Sequence, residues 1–256
     1  MGKYRYLKGN LELFGLGHAY HDAWWRRNAR KHSPFTEWNY QHEVIFVHIP
    51  KTAGLSIYEM FGMPVPREGH CPVAGYRAAD ATSFKKAYKF TVIRNPWDRL
   101  VSAFHYLKYG TTSPNDKRWV EDEVWSERYL SGINSFPEFM RALHVPKFRR
   151  LVLTWRHFLP QHYFITTAAA SGLLVDQLVR YEDLENGLEH VATKIGLPLS
   201  MVQRNMSEHA GYQQYYSEAD IRFIGRIYTR DIKLLGYTFA PSGVVPTAAQ
   251  GGRKTG

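Results

Sequence analysis

The sequence predicts an α/β protein: a central, mainly parallel sheet flanked by helices in a three-layer arrangement. Three observations predict it. Two apolar runs, Val44–His48 and Tyr88–Ile93, each stop abruptly at a polar turn that opens into a helical pattern, as a buried parallel strand does when it hands over to a crossover helix. A third run, Leu173–Tyr181, is followed in the same way by the helical stretch Glu182–Ile195. The 256 residues are 44% hydrophobic and 22% charged, which suits one sizeable core and excludes a disordered composition.

Taken in order, residues 1–42 are aromatic and basic without clear periodicity. They are expected to form an N-terminal arm, with His21–Lys31 as a short amphipathic helix that packs on the core or meets a membrane surface or partner. Val44–His48 is the first strand, and Leu55–Phe61 begins a helix. Tyr88–Ile93 is the second strand. Pro96 then suits the first position of a helix, where its missing N–H would have no partner in any case. That helix runs through Leu100, Phe104 and Leu107 and stops at Gly110. Residues 111–150 are charged and aromatic and read as helices and loops that shape an acceptor site. After the third strand, Glu182–Ile195 ends at Gly196 and Leu197-Pro198. Asp220–Leu235 is a further amphipathic helix closed by Gly236. The domain expected from this pattern covers 43–240, with 241–256 as a disordered tail.

The formal net charge of +10 points to anionic partners without choosing among nucleic acid, membrane, acidic glycan and a phosphate-rich nucleotide. The single cysteine, Cys71, excludes an internal disulfide framework and fits a reducing compartment. No apolar run approaches the ~20 residues of a membrane-spanning helix. A cytoplasmic protein is therefore expected, with peripheral membrane contact left open, and a Golgi lumen only if an N-terminal anchor has been removed.

Two turns carry the chemistry. After the first strand comes Pro50-Lys-Thr-Ala-Gly-Leu-Ser56. Ala53 and Gly54 are small enough for the backbone to approach an anion. The first N–H groups of the following helix lack intrahelical partners, and the helix dipole adds positive charge there. Lys51 can reach over the ligand as a point charge, and Thr52 and Ser56 offer hydroxyls. After the second strand comes Arg94-Asn-Pro-Trp-Asp-Arg-Leu-Val-Ser102. Arg94 and Ser102 can clamp one phosphate, the guanidinium in a two-pronged fashion. The plainer alternatives are an ordinary β–α turn with a surface lysine and an Arg94–Asp98 salt bridge that caps the helix. Together the two turns suggest a site that grips two phosphate-like groups on one ligand.

These residues resemble the sulfotransferases that use 3′-phosphoadenosine 5′-phosphosulfate (PAPS). Pro50–Ser56 is similar to that family's 5′-phosphosulfate loop and Arg94–Ser102 to its 3′-phosphate motif. The closer likeness is to the carbohydrate sulfotransferase branch, which includes heparan sulfate 2-O-sulfotransferase. His157-Phe-Leu-Pro-Gln161, Val179–Leu184, Asn205-Met-Ser207 and Tyr228-Thr-Arg-Asp231 with Leu235-Gly-Tyr237 extend it over roughly 43–240. Two departures stand out. The family more often has Gly-Gly-Thr-Ser where this chain has Ala53-Gly-Leu-Ser56, so Leu55 removes a hydroxyl donor and Ala53 fits only if its backbone is not left-handed. Residues 1–42 also lack the membrane anchor of the animal Golgi enzymes, which favours a soluble enzyme of bacterial or viral type.

The resemblance implies a P-loop-like form of the three-layer fold and in-line transfer of a sulfuryl group from PAPS to a hydroxyl or amine, with a carbohydrate as the expected acceptor. It places Lys51 on the bridging oxygen and leaving 5′-phosphate. The amides of Thr52, Ala53, Gly54, Leu55 and Ser56 surround the 5′-phosphate, and Arg94 and Ser102 hold the 3′-phosphate. His70, in a Gly-His segment between the two motifs, is the expected base, since a neutral imidazole accepts a proton near pH 7; Glu59 is the second candidate. His105 and Lys108 contact an anionic acceptor or are surface charges. His48 is a structural residue at a strand end, and Arg180 with Glu182 forms a salt bridge. Arg253-Lys-Thr-Gly256 is similar to an element of cytosolic sulfotransferases by coincidence. No metal is required. A P-loop kinase or ATPase is the competing enzyme, but its loop G-x-x-x-x-G-K-[ST] is absent because the lysine here precedes the glycine. A nucleic-acid-binding protein fits the charge and the interleaved aromatics but leaves both anion turns without a purpose, so no nucleic acid is expected as partner.

Overall fold

The computed structural model describes residues 17–66, 69–110, 120–170, 172–200 and 211–240. The expected tail, Asn205–Ser207 and Arg253–Gly256 lie outside the described residues. Three strands, β1 (Val44–Phe46), β2 (Tyr88–Ile93) and β3 (Gln177–Arg180), form a parallel sheet in the order β1-β2-β3. Val44 pairs with Tyr88 and Phe46 with Phe90; Phe90 pairs with Gln177 and Ile93 with Arg180. Beyond β1 the ladder is prolonged by Val47 N–H donating to the Phe90 carbonyl at 2.9 Å, and by the Thr91 hydroxyl donating to the Val47 carbonyl at 2.7 Å. The predicted first and third strands are therefore longer than the paired segments. In the first, the apolar run continues into the buried connection 47–50; in the third, half-buried Leu173, Leu174 and Val175 and exposed Asp176 precede the strand.

Alternation along the strands sends successive side chains to opposite faces. Val44, Phe46, Phe90, Val92 and Val179 join one core with α3 (Gly54–Met60) and α11 (Leu184–Ile195). Ile45, Val47, Ile49 and Ile93 join another with α1 (Gly17–Ala29), α4 (Val73–Ala79) and α10 (His162–Ile165). A third core is mainly helical, built by α6 (Pro96–Tyr109), α7 (Val120–Leu130), α8 (Phe136–Leu143), α9 (Pro146–Val152) and α12 (Glu218–Ile227), with Trp155 and Phe158 from the turns after α9. The helices α2 (Glu37–His42), α5 (Ala81–Lys86) and α13 (Thr229–Leu235) complete the described α-helices, and Tyr181–Asp183 and Tyr212–Tyr215 form 3₁₀ turns.

Local chemistry accounts for the helix ends. Asn95 caps α6 by accepting from Trp97 N–H, with Pro96 at the first position, and Asp80 caps α5 through the N–H groups of Thr82 and Ser83. Gly196 ends α11 in the left-handed conformation, φ 68°. The single helix expected over 220–235 divides at Tyr228, whose φ/ψ of −102°/25° leaves the helical region. The physical reason is tertiary: the Tyr228 ring is buried and its hydroxyl donates to the Phe158 carbonyl at 2.7 Å. Of the two roles expected for the N-terminal helix, the described part packs on the core: Trp25 on α1 is 1% exposed and α1 packs along α4.

Candidate active site

The chain leaves β1 through buried Val47–Pro50 and turns sharply. Lys51 and Ala53 both adopt positive φ, 70° and 64°. The condition that Ala53 avoid the left-handed region is thus not met, and a strained backbone of this kind persists only where its surroundings over-determine it. The surroundings are visible. The fully buried Thr52 hydroxyl donates to the Ile49 carbonyl at 2.8 Å. Arg94 Nη1 donates to the Lys51 carbonyl at 3.2 Å, and buried Arg99 Nη1 reaches the Pro50 carbonyl at 3.5 Å. A trans peptide holds its N–H opposite its C=O, so tying the Pro50 and Lys51 carbonyls to these cations turns the N–H groups of Lys51 and Thr52 the other way. The loop then opens α3.

Gly54 begins that helix because nothing larger fits. A Cβ there would lie 1.9 Å from His48 Nε2. The His48 ring stacks on Phe46 with centroids 5.6 Å apart and meets His70 at 4.2 Å. His70 Nδ1 lies 3.3 Å from the His48 carbonyl oxygen. A carbonyl can only accept, so Nδ1 carries the proton and Nε2 the lone pair. Burial, with the neighbouring His157 and Lys51, lowers His48 to about 3. Burial, then His48, His157 and Arg156, lowers His70 well below the ordinary histidine value. Both are neutral at pH 7. The expected structural His48 is thus also a member of the cluster beside the loop.

The other side of the cluster centres on Asp122 of α7, which is fully buried. Its Oδ2 accepts from His157 Nε2 at 3.0 Å and the Tyr106 hydroxyl at 3.1 Å; its Oδ1 accepts from Trp155 Nε1 at 3.1 Å and forms an ion pair with Arg156 Nη2 at 2.9 Å. Burial would raise the Asp122 carboxyl, but His157 and Arg156 outweigh it and hold it well below the usual range. Lys51 Nζ sits 4.0 Å from the centre of the Tyr106 ring, a cation–π contact that joins the loop to this cluster. His157 lies 5.0 Å from Tyr106 and 6.2 Å from His70 by ring centroids.

Around the second turn, Arg94 makes a two-pronged ion pair with Asp98, 2.6 Å from Nε to Oδ2 and 3.0 Å from Nη2 to Oδ1, and stacks over Tyr181 at 4.0 Å. Its peptide is clasped by the buried Gln161 amide, which accepts from Arg94 N–H at 3.0 Å and donates to the Arg94 carbonyl at 2.8 Å. Asp231 holds Gln161 in turn, accepting from the N–H groups of Gln161 and His162 at 2.6 and 2.9 Å. Ser102 is buried on α6. Lys108 donates to the Leu130 carbonyl at 3.0 Å, and His105 packs against Phe104, Tyr109 and Tyr215. Those contacts lead toward α7 and the 3₁₀ turn Tyr212–Tyr215 rather than to Lys51. Leu55 and Glu59 are exposed on α3, and Ser56 is half-buried. Arg180 and Glu182 do not pair: Arg180 donates to the Leu235 carbonyl at 2.9 Å, while Glu182 accepts from Asn95 N–H at 2.7 Å and the Tyr237 hydroxyl at 3.0 Å.

Sequence reasoning singled out Lys51, His70 and Arg94 but missed Tyr106, Asp122 and Arg156 altogether, and took His157 only as part of a weak element. A signal existed for Asp122. It shares a helical face with Trp125 and Ser126, at spacings of three and four, and an acidic residue on an apolar face needs partners.

Residues 74–238 match the Sulfotransferase family. The chain belongs to that family. The matched segment takes in Arg94, Asp122, His157 and Asp231, and begins after the Lys51 loop and His70. Among curated proteins the chain is similar to carbohydrate sulfotransferase 10 from Xenopus laevis, 26% identical over 59% of this chain and 47% of that protein. It is similar also to carbohydrate sulfotransferase 10 from Homo sapiens, 25% identical over 60% of this chain and 48% of that protein. The chain thus spans about half the length of the curated relatives it matches. These relatives, rather than heparan sulfate 2-O-sulfotransferase, define the likeness. No solved structure matches the chain. The matches correct the cytoplasmic placement. The relatives are animal carbohydrate sulfotransferases, which are Golgi membrane proteins and not the soluble bacterial or viral type that residues 1–42 suggest. Among the described residues no helix is long and apolar enough to cross a membrane.

Proposed function

We propose that the chain moves a sulfuryl group from PAPS to a hydroxyl of a carbohydrate. The observation that carries this reading is the family match together with the loop at Lys51, whose carbonyls are tied to Arg94 and Arg99 and whose lysine stands beside a neutral histidine cluster. The residues present suit a phosphosulfate in a P-loop-like loop: amides turned away from bound carbonyls, a close approach at Gly54, and Lys51 at the edge. PAPS, when bound, supplies an activated sulfuryl group whose leaving phosphate gains negative charge.

In this reading Lys51 moves from the Tyr106 ring to that growing charge, where a preorganised cation is worth most in a water-excluded site. The amides of Thr52, Ala53, Gly54, Leu55 and Ser56 hold the 5′-phosphate. Arg94 and Ser102 hold the 3′-phosphate, with the phosphate taking over part of the ion pair that Asp98 makes in this structure. His70 receives the acceptor proton through Nε2, which its bond to the His48 carbonyl leaves as the lone-pair nitrogen. His105 and Lys108 are candidates for acceptor contact only if the chain rearranges around α7. The net charge of +10 favours an anionic glycan.

Calorimetry with adenosine 3′,5′-bisphosphate tests the donor site. The wild type is expected to bind, and absence of binding sinks the reading. Lys51→Ala is expected to lower turnover about 10²–10³-fold, and Arg94→Ala to abolish most bisphosphate binding. A screen of neutral and acidic saccharides with labelled PAPS identifies the acceptor.

A further inference from the structure

We infer that the Asp122–His157 pair is the final acceptor of the proton released in the reaction, receiving it from His70; the inference rests on the sulfuryl-transfer reading above. Asp122 accepts only, so its bond to His157 fixes the hydrogen on Nε2 and the lone pair on Nδ1. His157 Nδ1 is buried and has no hydrogen-bond partner among the described residues. A buried, orphaned acceptor on an imidazole held by a carboxylate calls for an explanation. Of the other unpartnered atoms in the cluster, Arg156 Nε and Nη2 can only donate, and His48 Nδ1 has no carboxylate beside it among the described residues. Tyr106 and Trp155 donate to Asp122, Arg156 forms an ion pair with it, and Lys51 rests on Tyr106. The open valence on His157 Nδ1 is the one that can take up a proton.

His70 is a poor resting place for that proton. It is surrounded by His48, His157 and Arg156, and no carboxylate bonds to it among the described residues. His157 has the countercharge that His70 lacks, 3.0 Å away on Asp122, although burial, Arg156 and Lys51 all work against its protonation. The step balances as follows. The acceptor O–H bond breaks and its proton goes to His70 Nε2. The electron pair left on oxygen forms the bond to sulfur while the bond from sulfur to the bridging oxygen breaks, and that pair departs on the bisphosphate. The proton then passes from His70 to His157 Nδ1. Ring centroids 6.2 Å apart are too far for direct nitrogen-to-nitrogen bonding, so one water carries it across. The imidazolium beside Asp122 sheds the proton to solvent on product release.

The test uses the full chain, labelled PAPS and whichever saccharide the wild type sulfates in the screen. His157→Gln is expected to lower kcat by about 10²-fold or more while bisphosphate binding stays within about threefold of wild type. Asp122→Asn is expected to move the acid limb of the kcat profile to lower pH, because losing the anion makes His157 harder to protonate. Retention of kcat within about threefold in His157→Gln, or an unmoved acid limb in Asp122→Asn, overturns the inference while leaving the donor site intact. Failure of the wild type to bind bisphosphate instead removes the parent reading. Should neither variant fold, or no saccharide be sulfated, nitrogen NMR of His157 in the wild type decides: hydrogen on Nε2 supports the inference, and hydrogen on Nδ1 overturns it.

Discussion

Gly54 and His48 are matched at the level of single atoms. The glycine has no Cβ, and the space that a Cβ would fill is held by the His48 imidazole, 1.9 Å from where the carbon would sit. A contact that short cannot be absorbed by a small shift, because the ring is wedged between Phe46, Tyr58 and His70. Gly54→Ala is therefore expected to push His48 out, displace His70 with it and distort the Lys51 turn. Bisphosphate affinity should fall at least about tenfold, with a stability loss of about 1–3 kcal/mol from overpacking. Calorimetry beside chemical denaturation separates the two, and unchanged affinity would show that the loop does not depend on this contact. Ala53 carries a related lesson: a small side chain is tolerated in the left-handed region when hydrogen bonds on either side hold the turn.

At the scale of elements, α1 takes the first of the two roles open to it from the sequence, packing on the core. Trp25 is buried, donates from its indole to His21 Nε2 at 3.1 Å and packs into the core that α4 shares with the sheet. Since α4 directly follows the His70 segment, α1 buttresses one wall of the site. Trp25→Ala is expected to cost about 3–5 kcal/mol, read as a shift in the denaturant midpoint. A loss below about 1 kcal/mol would mean that α1 docks without this anchor. The element Pro160–Ile165 has a comparable role on the other side. There Gln161 clasps the Arg94 peptide while Asp231 from α13 fixes Gln161, so the C-terminal helix reaches the second turn through two hydrogen-bonded links.

Over the whole molecule, buried neutral histidines set a pH limit on stability. Burial lowers His18, His21 and His48 each to about 3, from an ordinary value of 6.5. The folded state therefore resists protonation while the unfolded chain accepts it. Stability is full above the unfolded value and is lost as pH falls from about 6.5 toward 3, by up to about 2 kcal/mol per histidine between pH 7 and pH 5. Melting measured at both pH values should show a fall of at least about 10 °C; equal melting temperatures would contradict the neutral, buried assignment. How much of this was legible in the chain follows from the range of the interactions. Alternating and continuous apolar runs, Pro96 at a helix start and Gly196 at a helix end act over a few residues, so the parallel sheet, α6 and α11 can be read in order. Lys51 and Arg94 stand out because each interrupts such a pattern at a turn, whereas His70 is legible only through the family resemblance of its Gly-His segment. The expected Arg180–Glu182 pair and the undivided helix over 220–235 fail for one reason: each side chain takes its partner from far along the chain, where Leu235, Asn95 and Phe158 replace the local choice. The sequence by itself determined the sheet, its crossover helices and the cations at two strand ends, because local patterning and backbone sterics specify those. Only the tertiary structure brought Asp122 and His157, 35 positions apart, to the lysine loop, because a buried carboxylate is stable only where folding assembles its donors around it.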